Sequence, residues 1–150
     1  MARLTFDTPT GAFTIEERGA EIVAAGWGMK AGADTTPLLL DAMTQITEYF
    51  AGQRRAFDLP LKMAGGLTGQ VGALMLAIPF GETRTYGDLA RALGVPAQAI
   101  GQACGANPIP LIIPCHRILS ATGLGGFSGA GGVETKVALL RHEGAAGLLI

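Results

Sequence analysis

Cysteine is scarce: the 150 residues contain two, Cys104 and Cys115, and neither belongs to a C-x-x-C pair. That count excludes the small secreted folds stapled by disulfides and suits a reducing cytoplasm. Charge of either sign is scarce too. Eleven basic and twelve acidic residues leave a net charge of −1, so no basic excess advertises nucleic acid. Divided at Gly66, the first part holds six basic and eight acidic residues and the second five and four, or −2 and +1, a slight lean toward an anionic partner for the second part. No uncharged apolar run approaches the ~20 residues of a bilayer-spanning helix, so no membrane is expected. Asp7, Glu16 and Glu17 interrupt the charged-then-apolar pattern of a signal peptide, and a cytoplasmic location is the expectation.

What is present reads as one or two small domains with enough length for a real core. Leu4 to Asp7, Ala12 to Glu17 and Glu21 to Trp27 form a predicted antiparallel meander. They are separated by the turn chemistry of Pro9-Thr10-Gly11 and Arg18-Gly19. Phe13 and Ile15 alternate with Thr14 and Glu16, the period of a half-buried strand. Gly26 to Ala31 superficially fits a dinucleotide-binding glycine pattern, but no helix opens after it, which rules that reading out. Thr36 before Pro37 is a helix start. Leu39, Met43, Ile46 and Phe50 then recur at helical spacing as a core stripe, and Gly52 closes the helix. Phe57 to Leu61 returns extended, and Met63 to Gly66 is a linker between residues 1–63 and 67–150.

Beyond the linker, Thr68 is the expected cap of a helix carrying Val71, Leu74, Met75 and Ile78. Thr85 caps a second helix with Tyr86, Leu89, Ala90 and Leu93, ended by Gly94. Pro96 opens a third through about Ala106. Two short helices joined by Gly94-Val95-Pro96 read as a helix-turn-helix. The outer face of the second, with Ala97, Ala99 and Gly101, has almost nothing charged. A helix reading the major groove wants Arg, Asn or Gln at base edges. A smooth face suits either packing inside the protein or close approach to a narrow minor groove. The glycine-dense loop of residues 120 to 132 lacks the Lys-Ser/Thr of a phosphate cradle. Val133 to Glu143 is a closing helix with Val137 and Leu140 inward.

The densest chemistry lies at Ile113-Pro114-Cys115-His116-Arg117-Ile118-Leu119. Leu111-Ile112-Ile113, fenced by Pro110 and Pro114, reads as a brief buried strand, because proline is tolerated at strand ends. Adjacent side chains of a strand point to opposite faces. Cys115 and His116 therefore cooperate only if the backbone turns sharply there or a water bridges them. A thiol with a neighbouring base is a nucleophile; a lone Cys behind an aliphatic strand is otherwise an inert core residue. Cys104, Cys115, His116 and His142 do not have the spacing of a zinc site, so no metal is expected.

From Asn107-Pro108-Ile109-Pro110 through Pro114-Cys115-His116-Arg117 to Gly125-Gly126-Phe127-Ser128-Gly129, the chain closely resembles the methylated-DNA–protein-cysteine methyltransferases, over roughly residues 67 to 144. The resemblance implies an α+β architecture: a small ribonuclease H-like sheet-plus-helix domain, then a mainly helical, helix-turn-helix, winged-helix-like alkyltransferase domain. It implies direct, stoichiometric transfer of an alkyl group from guanine O6 in duplex DNA to Cys115. O4-alkylthymine stays open as a second substrate. Neither a cofactor nor an obligate protein partner is implied, and a monomer is expected. By position, Cys115 is the nucleophile, His116 its base through water, Glu143 the group that orients the imidazole, and Asn107 a hinge. Tyr86 is the donor near the guanine ring, with Cys115, Ile118, Phe127 and Ser128 lining the base site. Thr85, Tyr86, Ala97, Gln98, Ala99 and Gly101 face DNA across the minor groove. The target atom is inaccessible in a stacked duplex, so the nucleotide is flipped out. Three positions depart from the family pattern: Gln98 replaces the arginine that fills the vacated stack, Gly72 a tryptophan, and Phe127 a common tyrosine. The runner-up is a lesion-binding protein without chemistry. A third possibility is an unrelated helix-turn-helix regulator, which would need an effector site and a reading helix richer in polar side chains.

Overall fold

Alternating side chains build the first sheet. Strands β1 (Ala2–Thr8), β2 (Gly11–Arg18) and β3 (Glu21–Trp27) pair antiparallel in that order, with Leu4 opposite Ile15 and Phe13 opposite Trp27. The computed structural model describes residues 1–125 and 132–145, and the chain divides into a unit spanning Met1–Met63 and a unit beginning at Ala64. A register shift between Glu16 and Glu17 marks a bulge in β2. Each sheet edge shares two hydrogen bonds with a neighbouring segment. Thr5 N donates to Gly32 O and Asp34 N to Arg3 O on the β1 side; Ile22 N donates to Pro60 O and Lys62 N to Ile22 O on the β3 side.

Helix α1 (Pro37–Phe50) contacts β1 and β2. Thr36 Oγ1 accepts from Leu39 N at 3.2 Å and Pro37 occupies the first turn, the start read from the sequence. The buried stripe differs from the expected one. It runs Leu39, Ala42, Ile46, Tyr49, while Met43 and Phe50 are only half-buried. Tyr49 claims the inner position because Phe50 and Phe57 pack their rings against it, at 5.0 and 5.5 Å between centroids. Gln45, also inward, clamps the returning extended segment: Nε2 donates to Asp58 O at 3.0 Å and Oε1 accepts from Asp58 N at 2.9 Å.

The second unit contains helices α2 (Gly66–Leu76), α3 (Tyr86–Leu93), α4 (Ala97–Gly105) and α5 (Val133–Glu143), with short strands β4 (Arg84–Thr85) and β5 (Ile118–Leu119) paired in parallel. Thr68 does not cap α2. The helix begins three residues earlier with Gly65 at its N-cap and no side-chain cap, and Ile78 lies past its end, although buried. At α3 the sequence signal is complete. Thr85 Oγ1 accepts from Asp88 N at 3.0 Å, Asp88 Oδ2 accepts from Thr85 N at 2.8 Å, and Gly94 closes the helix at φ 67°. Helix α4 follows after Pro96 and packs on α3 and α2, giving the helix-turn-helix.

Residues 111–113 form no strand. The segment is too short between its prolines to build a ladder, and it folds into a turn that Ile113 N closes on Ile109 O at 2.9 Å. Leu111 sits there at φ 74° while fully buried. A bulky residue in that region is strained by about 1–3 kcal/mol and persists only where its surroundings hold it. Asn107 does so: Oδ1 accepts from Ile109 N at 3.0 Å and Nδ2 donates to Ile113 O at 2.9 Å. In α5 the inward residues are Thr135, Lys136, Leu139, Leu140 and Glu143, and Val137 is half-buried. The fold is thus α+β overall, a small sheet-plus-helix unit followed by a mainly helical one, as the resemblance implied.

Candidate active site

Two tight turns create the site. Pro114, at φ −81° and ψ 68°, makes an inverse γ-turn in which Cys115 N donates to Ile113 O at 2.8 Å. A 3-10 turn over Cys115–Arg117 follows, with Arg117 N donating to Pro114 O at 3.0 Å. At three residues per turn, successive side chains fan out by about 120° instead of alternating. The backbone therefore bends where the sequence demanded it, and Cys115, His116 and Arg117 each enter the interior on a different bearing.

His116 is 0 % exposed and Glu143, from α5, is 5 % exposed. His116 Nε2 lies 2.7 Å from Glu143 Oε2. Burial pushes the imidazole below its ordinary range, against the hydrogen bond and charge of Glu143, so His116 rests neutral. Burial alone would raise Glu143, but its contacts with His116 and Arg117 overcome this and bring the carboxyl to about 2. With His116 neutral, the charge that holds Glu143 ionised is the Arg117 guanidinium. An ionised carboxylate only accepts, so His116 carries its hydrogen on Nε2. Nδ1 is then a bare acceptor, buried and without a protein partner among the described residues. A bare, buried imidazole nitrogen of this kind is able to accept a proton.

Cys115 is buried, and burial pushes its thiol up; a hydrogen bond from Asn107 and the charge of Lys136 pull it part of the way back. A thiol so placed stays protonated at rest and needs a base before it can attack. Cys104, also buried, is pushed up to about 12 by burial and by the charge of Cys115, and its Sγ points at Met75 Sδ, 3.9 Å away. Both cysteines are free.

Tyr86 opens α3 and is half-buried. Burial, then the charges of Cys104 and Cys115, raise its phenol, so it is a donor at neutral pH. A Cβ added to Gly125, at φ 72°, would come within 3.0 Å of the Tyr86 ring, so only glycine allows this approach. Ile118 is fully buried and its carbonyl accepts from Lys136 Nζ at 2.6 Å. Thr85 spends its hydroxyl on the α3 cap. On α4, Ala97 and Gln98 are exposed, Ala99 and Gly101 half-exposed, and a Cβ at Gly101 would meet open space. Gly72 is buried in α2. Phe127 and Ser128 lie outside the described residues. Among the described residues, no group of three or more His, Cys, Asp or Glu is arranged to hold a metal, and no helix is long and apolar enough to cross a membrane.

Two participants carry no role in the sequence reading. Arg117 grips Glu143 with Nε to Oε1 at 2.8 Å and Nη2 to Oε2 at 3.0 Å, and Nη1 donates to Ile78 O at 2.7 Å. Lys136 is 0 % exposed; burial pushes its ammonium down while Cys115 and Cys104 push it up. Spacing offered a signal for Lys136, since it lies four residues before Leu140 and seven before Glu143, on the same stripe of α5.

A buried thiol beside an imidazole–carboxylate pair, set behind a helix-turn-helix, defines a class: a cysteine nucleophile in a DNA-binding scaffold. The comparisons narrow it. Residues 67–145 match the family model described as 6-O-methylguanine DNA methyltransferase, DNA binding domain, and residues 1–63 match its ribonuclease-like domain. The methylated-DNA–protein-cysteine methyltransferase of Mycobacterium tuberculosis is 36 % identical over 155 residues, covering 93 % of this chain and 90 % of the relative. The constitutive Bacillus subtilis enzyme of that name is 36 % identical over 154 residues, covering 93 % of each. A crystal structure of Mycobacterium tuberculosis OGT in complex with DNA superposes with a TM-score of 0.84 at 34 % identity, over 95 % of this chain and 93 % of that one. The chain belongs to the methylated-DNA–protein-cysteine methyltransferase family.

Proposed function

We propose that this protein repairs DNA by taking the alkyl group of an O6-alkylguanine onto Sγ of Cys115, once per molecule and without a cofactor. The observation that carries the reading is the buried pair of His116 and Glu143 at 2.7 Å, beside a protonated Cys115. His116 Nδ1 takes the thiol proton through a bridging water. The thiolate attacks the alkyl carbon in line; the S–C bond forms as the C–O6 bond breaks, and guanine O6 becomes a carbonyl. The balance is closed by one proton on guanine, toward which the Tyr86 phenol donates as charge develops on the leaving base. The Ile118 carbonyl keeps a second lone pair beyond its Lys136 bond for the exocyclic amine of guanine. The smooth surface of α4 at exposed Ala97 and half-exposed Ala99 and Gly101 supports close approach to a minor groove, with the target nucleotide flipped. Two free thiols suit a cytoplasmic setting. All the named groups come from one unit of one chain, which supports a monomer. A lesion binder without chemistry has no use for a buried imidazole–carboxylate pair beside a thiol.

Incubation with duplex DNA carrying O6-methylguanine, followed by intact-protein mass and peptide mapping, tests this. The expected result is a single methyl group on Cys115, complete at one per molecule and absent from Cys115→Ala, which still binds the alkylated duplex. Methylation at Cys104, or repeated turnover, overturns it.

A further inference from the structure

Resting on that reading of the site, the next question is what fixes His116 as a base. A buried histidine next to a buried carboxyl has two neutral arrangements. If Glu143 is ionised, Nε2 carries the hydrogen and Nδ1 is bare. If Glu143 is protonated, it donates to Nε2, the hydrogen moves to Nδ1, and the base is lost. Which arrangement holds depends on the charge of Glu143, and burial alone favours the wrong one.

We propose that Arg117 is a positioning residue for the transfer reaction: by gripping both oxygens of Glu143 and anchoring on Ile78 O, it selects the His116 tautomer that leaves Nδ1 free to take the thiol proton. The geometry is specific. Two parallel N–H···O contacts of 2.8 and 3.0 Å fix the carboxylate plane, and the 2.7 Å bond to Ile78 O fixes the guanidinium to the segment just past α2. A fork of this kind orients as well as attracts, which an ammonium cannot do. Arg117 is itself 6 % exposed, so solvent does little to screen it. Among the described residues, the charges bearing on His116 are those of Glu143, of Arg117 from the 3-10 turn, and of Lys136 from α5, which disfavours an imidazolium as that of Arg117 does. Arg117 also pairs directly with both oxygens of Glu143.

The test is Arg117→Met, with Arg117→Lys beside it, read two ways. The first uses no DNA: the ring nitrogens of His116 are followed by 15N NMR from pH 5 to 9. Wild type is expected to hold hydrogen on Nε2 throughout, Arg117→Met to show it on Nδ1 below a new midpoint where Glu143 protonates, and Arg117→Lys to keep the wild-type pattern. The second is the rate of methyl transfer to Cys115 across the same range. Arg117→Met is expected to gain an acid limb, losing about tenfold per pH unit below that midpoint and recovering at alkaline pH. Arg117→Lys is expected to be slower by a similar factor at every pH, having the charge without the fork. A purely structural arginine would lower the rate uniformly and leave the tautomer alone; that result overturns the proposal. If Arg117→Met does not fold, Arg117→Gln, which keeps a donor without the charge, carries the same comparison. Absence of methyl transfer in wild type would sink the functional reading, while the NMR titration would still decide the tautomer.

Discussion

In the first unit the largest fully buried side chains are Phe13, Ile15, Ile22, Leu39, Ile46 and Tyr49, and the ion pairs Arg3–Glu16 and Arg54–Glu48 keep part of their surface in water. The second unit takes His116, Arg117, Lys136 and Glu143 out of water. Apolar burial needs nothing but complementary shape, whereas each buried charge must be matched by partners or it destabilises the fold. A well-packed apolar replacement for a buried ion pair is often as stable or more so. Stability therefore does not explain why the second unit keeps its charges. Chemistry does: the pair that sets the proton of His116 has to be dry to hold its tautomer.

That contrast breaks open most widely if one partner is removed from each interior. Glu143→Ala leaves Arg117 buried without its counter-charge, and losses of this kind run to about 3–5 kcal/mol. Gln45→Ala in the first unit removes two hydrogen bonds to the Asp58 backbone, about 1–3 kcal/mol. Chemical denaturation of both variants measures the difference. Equal losses would mean that the Glu143 cluster is no more costly to disturb than a neutral amide clamp.

Acid should separate the units in the same direction. Glu143 is held at about 2 against an ordinary value of 4.5, so its contribution is whole above pH 4.5 and is lost as the pH falls toward 2. His116 adds to it with the same sign. It is buried neutral, so below about pH 6.5 the unfolded chain binds a proton that the folded one resists, and stability falls with pH. Amide hydrogen exchange from pH 7 to pH 3 is expected to show α5 and the 115–117 turn losing protection before β1–β3. Simultaneous loss would sink this.

These interiors also differ in how far they could be read from the chain. Local signals worked wherever a few adjacent residues decide the outcome. The Thr36-Pro37 start, the Thr85 cap and the Gly94-Val95-Pro96 corner all stand in the structure. A resemblance tied Glu143 to Cys115 and His116, 28 and 27 positions away, and the structure places Glu143 against His116. Long-range geometry was not legible. Apolar residues between prolines suggested a strand at 111–113, but Asn107 holds them in a turn with Leu111 strained, a result of side-chain to backbone bonds that no periodicity encodes. Arg117 and Lys136 carried no role in the sequence, because their burial depends on carbonyls of Ile78 and Ile118. The Met43–Phe50 stripe was off by a small rotation of α1, set by the aromatic contacts of Tyr49.

The smallest effect expected is at the surface, and it sharpens the contrast from outside. Gln98 is exposed in the first turn of α4, where the family pattern has an arginine that enters the stack. A guanidinium brings a charge close to phosphates and a flat face that stacks, while an amide brings a shorter reach and no charge. Gln98→Arg touches neither buried interior, so unfolding should shift by no more than about 0.5 kcal/mol. Binding should respond: one added phosphate contact steepens the dependence of log K on log salt by roughly one unit. Repair of duplex O6-methylguanine is expected to speed up, because extrusion gains a residue to fill the gap. Reaction with the free base O6-benzylguanine needs no extrusion and should be almost unchanged. Timing both substrates across salt separates the cases. Equal acceleration of free base and duplex would place residue 98 at the pocket, and no change in either would remove it from the DNA-facing surface altogether.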